Sequence, residues 1–167
     1  MLISIRILLC CLVLVALPAS EPTVRLTDAT VDATLAGGNL TARIDATLRA
    51  DAAGALRLFG PRFALLADPV IDGDGALRFD PQGGYRVVLP RAGTYAVTLA
   101  VAVPSAPAAD GWRTARIDLP DAPSRSLRLA SARRDLQVRF PGALQVERAD
   151  GTDGGVVVTG LLAPGRA

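Results

Sequence analysis

The chain has 167 residues with no histidine and no lysine, and its two cysteines, Cys10 and Cys11, sit together near the start. Each absence removes a class of chemistry. Without histidine there is no Ser–His–Asp or Cys–His nucleophile system and no histidine-ligated zinc site. Without cysteine beyond Cys11 there is no disulfide framework, whatever the compartment allows. G-x-S-x-G, a phosphate-binding Gly-rich loop and a dinucleotide fingerprint are missing as well. Aromatic residues make up only 4%, so exposed ring platforms for sugars are scarce. After residue 20 no long window carries the i, i+3, i+4, i+7 stripe of an amphipathic helix free of Gly and Pro.

What is present begins with the first twenty residues. Met1 to Arg6 is a short segment with one positive charge, and Ile7 to Leu17 is an unbroken apolar run of 11 residues. Pro18, Ala19 and Ser20 supply a small-residue exit. A membrane-spanning helix needs about 20 apolar residues. The run is therefore expected to be a secretory signal peptide over residues 1–20, removed near Ala19. Bulky Leu17 leaves an uncleaved signal anchor as the alternative. The protein is accordingly expected to be exported, to the periplasm or cell surface. Membrane attachment would come only through that segment or through one downstream.

Residues 21–167 have the length of one domain, which buries about two-thirds of its unfolded surface. In that stretch 17 arginines face 16 acids. A near-neutral surface offers no global steering of nucleic acid or anionic membrane, so no nucleic-acid partner is expected.

Period-two alternation recurs throughout. Val31, Ala33 and Leu35 alternate with Thr30, Asp32 and Thr34. After Gly37-Gly38-Asn39, Leu40, Ala42, Ile44, Ala46 and Leu48 alternate with polar neighbours, which predicts a hairpin. Further strands are expected at 55–59, 63–71 (broken near Pro69), 76–79, 85–90 and 93–103. Beyond Pro104, "RTARIDLP", "SRSLRLA", "DLQVRF", "ALQVER" and "GVVVTGLL" read the same way. Short strands with turn residues between them predict an all-β, antiparallel β-sandwich, Ig-like or jelly-roll-like. In Gly93–Pro104 the odd positions Tyr95, Val97, Leu99, Val101 and Val103 are expected in the core, and a strand of that length is expected at the middle of its sheet. The even positions are small and uncharged (Ala96, Thr98, Ala100, Ala102), and are either plain solvent face or a smooth face covered by something else.

Charged constellations are few. Asp72, Asp74 and Asp80 lie at turns, where Asp and Gly serve backbone geometry; D-x-D alone offers too few oxygens for calcium. No metal and no cofactor is expected. Arg113 to Arg139 holds seven arginines and three aspartates. On alternating strands Arg116, Arg128 and Arg139 would share an outer face, with Trp112 the one plausible exposed ring nearby. These four are the candidate ligand-binding residues.

The hairpin "TVDATLAGGNLTARIDATLRA", the central "DGDGALRFDPQGGYRVVLPRAGTYAVTLAVAVP" and the later "ARIDLPDAPSRSLRLASARRDLQVRFPG" together resemble a poorly characterised N-terminal β-sandwich module of exported or membrane-attached bacterial proteins. The resemblance implies no catalytic residue. It also implies a further strand after "LLAPGRA", so either the chain is a piece of a longer protein, with the domain truncated at its last strand, or the domain closes without that strand. The expected function is a non-enzymatic, exported structural or protein-interaction module, pairing with another protein or a downstream domain through a sheet edge or face. The alternative is a module binding carbohydrate or an anionic polymer.

Overall fold

A computed structural model describes residues 24–36, 38–108, 112–151 and 154–163. The expected signal peptide and the chain end after Ala163 lie outside them. Every regular element among the described residues is a strand. The hairpin forms as its alternation requires. β1 (Val24–Ala36) and β2 (Asn39–Ala50) pair antiparallel with Ala36 opposite Asn39, and Gly38 takes φ +85° in the turn. β3 (Gly54–Phe59), β6 (Ala76–Asp80) and β7 (Gly84–Leu89) make a three-stranded antiparallel sheet in the order β3-β7-β6. The segment around Pro69 is broken as its sequence suggests, into β4 (Ala64–Leu65) and β5 (Val70–Ile71).

The main sheet has eight strands. Its order is β12 (Ala143–Asp150), β13 (Val156–Leu162), β11 (Ser124–Ser131), β1, β2 and β8 (Gly93–Val103), with β4 and β5 both paired to the far side of β8. A small hairpin of β9 (Ser105–Pro107) and β10 (Arg113–Ala115) stands apart. The core fills the space between the two larger sheets. Ile44, Leu48, Val97 and Leu99 of the main sheet meet Leu58, Phe59, Val87 and Leu89 of the smaller one. Ile44 and Leu99 are cross-strand partners with no exposed surface. Burying each contributes about 1.5–3 kcal/mol. All five odd positions of β8 lie in this core, as their alternation predicts.

Three expectations are corrected. The sandwich is not antiparallel throughout: β1 and β11 run parallel, with Asp28 opposite Ser124. The prediction considered only connections between successive strands. Here nearly the whole domain is the connection, which leaves ample chain for a parallel return. Next, β8 is not the middle of its sheet; the long β1–β2 pair is, and β8 lies beside the short pieces β4 and β5. Finally, one expected strand is cut short and another is absent. "RTARIDLP" is a strand only over β10, and Pro120 and Pro123 beyond it have no N–H to give a ladder. "DLQVRF" is irregular; beside it Arg148 donates to the carbonyls of Arg134 (2.6 Å) and Leu136 (2.8 Å) in place of a neighbouring strand.

Candidate interaction surface

Most of the outer face of the main sheet is polar and paired. Asp32 on β1 lies opposite Arg43 on β2 and Arg128 on β11, and Arg128 reaches Asp32 at 3.7 Å. Asp45 accepts from Arg43 (2.8 and 3.0 Å) and from the Thr98 hydroxyl of β8 (2.5 Å). These donors, Arg43 first and Thr98 second, hold the Asp45 carboxyl below the usual carboxylate range. Asp45 in turn raises the Arg43 pKa.

The character changes at β8. Ala96, Ala100 and Ala102 carry no polar group, and the short strands beyond them continue the apolar surface. Val70 pairs with Thr98, and Ala64 with Ala102. The Leu66 N–H bonds the Ala100 carbonyl at 2.8 Å. That register puts Leu66 and Val70 on the same outer side as the alanines, and they are 55% and 62% exposed. At one end the strip meets a shallow groove of about 410 Å³ lined by Thr41, Leu66, Ala102 and Arg113 among others. The small residues of β8 are thus part of an apolar strip, not isolated alanines on a charged face. Sequence reading singled out the alanines but not Leu66 and Val70. Val70 belongs to a strand of two residues and Leu66 directly follows another, both too short to show any alternation.

The opposite edge of the sheet is β12. Among the described residues no strand pairs with its outer side, and Leu144 and Val146 stand exposed there. β13, the last strand among the described residues, is internal, between β12 and β11. Among the described residues this end of the sheet is open at β12.

The four residues chosen from sequence have separate surroundings. The Arg139 guanidinium lies over the half-buried Trp112 ring, 4.4 Å from its centroid. Arg116 bonds Asp118 at 2.5 Å in the irregular segment, and Arg128 on β11 faces Asp32 of β1. Only Arg128 of the three arginines sits on a strand, so the shared face expected from alternation does not form. The rest of that arginine run is also engaged: Arg113 with Ser105, Arg125 with Asp121, Arg133 with Asp135 and Arg134 with the Gly154 carbonyl. The turn aspartates are equally separate. Asp74 pairs with Arg91 at 3.6 Å and Asp80 with Arg86 at 3.7 Å. Among the described residues no three His, Cys, Asp or Glu side chains group as metal ligands would.

No protein-family model matches the sequence, and no curated protein matches it. Solved structures do match the fold. An aminopeptidase A from Legionella pneumophila aligns at TM-score 0.57 and 13% identity, over 87% of this chain and 20% of that one. An M1 zinc metallopeptidase from Deinococcus radiodurans aligns at TM-score 0.51 and 15% identity, over 83% of this chain and 39% of that one. The chain thus spans between a fifth and two fifths of the length of the peptidases it resembles. At such identities the likeness is one of fold: a β-sandwich also found as part of longer chains.

Proposed function

We propose that this chain is a non-enzymatic, exported β-sandwich that serves as a structural or protein-interaction module. It docks against another domain or protein through the strip formed by Leu66, Val70, Ala96, Ala100 and Ala102. The observation that carries this reading is the contrast within one sheet face. Outward positions of β1, β2 and β11 hold charged pairs, while at β8 the surface becomes smooth and apolar, with two large exposed side chains in line with it. Contiguous exposed apolar surface is a mark of contact sites. The solved structures support the reading, because there a similar fold accounts for only part of a peptidase chain. The chain itself brings no histidine to a zinc centre of the usual peptidase kind. Export rests on residues 1–20 and is checked by N-terminal sequencing of the protein recovered from the periplasm.

Light scattering and crosslinking of the exported protein test the docking. Association is expected for the wild type, lost in Ala100→Arg and retained in Val146→Lys, which alters only the β12 edge. Loss in Val146→Lys alone would move the interface to that edge. A strictly monomeric protein without crosslinked partners, or one with peptidase turnover, would overturn the reading.

A further inference from the structure

On the outer face of the three-stranded sheet, Arg57 of β3 lies opposite Arg86 of β7, and Arg86 lies opposite Arg78 of β6. Three exposed guanidinium side chains therefore stand in one row across adjacent strands, spaced about 4.8 Å apart at the backbone. Like charges directly opposite one another destabilise a sheet, and here the conflict occurs twice in succession. Arg25 and Arg49 also lie opposite one another, on β1 and β2, but there Asp51 stands within 4 Å of both. Arg25, Arg43, Arg49, Arg91 and Arg128 each have an aspartate within 4 Å. The remaining described arginines outside the row bond a carboxylate, hydroxyl or carbonyl or cover a ring, Arg62 excepted.

Within the row, only Arg86 has an aspartate in reach, Asp80 at 3.7 Å. That carboxylate is already engaged, accepting the Gln82 backbone N–H at 3.0 Å. Backbone donors from Gln82 and Gly83 hold its pKa below the usual range, with the charges of Arg86 and Arg57 adding to the effect. Asp118, which lines a shallow groove with Arg57, is bound by Arg116. Arg57 and Arg78 have no carboxylate partner among the described residues.

We infer that the Arg57–Arg86–Arg78 row is a binding site for a multiply charged oxyanion of the phosphate class. A carboxylate brings one charge and two oxygens, which match the fork of a single guanidinium. A phosphomonoester carries close to two charges at neutral pH and three acceptor oxygens, and a diphosphate more. Such a group is shared by neighbouring guanidinia and replaces their mutual repulsion with a common partner. The row is on the smaller sheet, so the inference does not depend on the docking strip of the main sheet.

Inorganic pyrophosphate, titrated into the protein purified from full-chain expression, tests this by calorimetry and thermal melting. The wild type is expected to bind and to melt higher with ligand, less so as salt rises. Arg57→Gln and Arg78→Gln are each expected to weaken binding about tenfold without lowering the ligand-free melting temperature. Arg49→Gln, on the main sheet, leaves binding unchanged. Vesicles containing phosphatidic acid, against phosphatidylcholine alone, separate the two sources of phosphate. Vesicle binding lost in the triple Gln variant assigns a lipid headgroup, and pyrophosphate binding without vesicle binding assigns a soluble ligand. No response to either probe, or an equal response in the triple variant, overturns the inference.

Discussion

Thr98 on β8 donates a 2.5 Å hydrogen bond to Asp45, the residue directly opposite it on β2. The same carboxylate takes two bonds from Arg43. Asp45 therefore ties β2 to β8 at the boundary between the charged face and the apolar strip. Its side chain is 39% exposed, so solvent screens much of the attraction. Asp45→Asn is expected to cost about 0.5–1 kcal/mol at neutral pH, measured by denaturant unfolding. The folded pKa lies below the unfolded one, so this contribution is present above about pH 4 and lost as pH falls through the folded value. The gap between wild type and Asp45→Asn should close in acid. A gap that stays constant to pH 2 would remove the charge from the explanation.

Ile44 and Leu99 face each other at the centre of the core with no exposed surface. Leu99→Ala is expected to cost about 3 kcal/mol through lost burial and the cavity left behind. Ala100→Leu, one residue on and on the other face, should change stability by less than about 0.5 kcal/mol. Similar losses from both would mean that the two faces of β8 are not distinct.

Two glycines with nearly the same backbone angle should respond differently to a methyl group. Gly38 (φ +85°) has open space where a Cβ would go, whereas at Gly84 (φ +83°) that Cβ would strike the Phe59 carbonyl and the Gly60 backbone. Gly38→Ala is expected to cost about 1 kcal/mol from left-handed strain alone. Gly84→Ala adds displacement of backbone and should be the more damaging by thermal melting, as it pries β3 away from β7.

Trp112 is the single tryptophan, so its fluorescence reports one place. With Arg139 over the ring at 4.4 Å, Arg139→Ala should move emission to longer wavelength and increase quenching by acrylamide. The stability loss should stay within about 1 kcal/mol, the scale of an exposed cation–π contact. Unchanged emission would place the guanidinium elsewhere in solution.

Local alternation determined much of this protein from its sequence. The side-chain period of a strand is two, so a run such as Tyr95–Val103 states which residues go inward before any partner is known. The β1–β2 hairpin was equally legible, because its turn and register are set by residues that adjoin in the chain. Composition alone removed histidine and disulfide chemistry. Tertiary structure decided what depends on distant segments meeting. The parallel pairing of β1 with β11, the alignment of Leu66 and Val70 with the alanines of β8, and the row Arg57–Arg86–Arg78 are all matters of register between strands. Which arginine finds an aspartate, a carbonyl or a ring is likewise settled by what lies across the sheet. Sequence spacing carries no record of that, since cross-strand neighbours are fixed by the packing of the whole core and not by either strand alone.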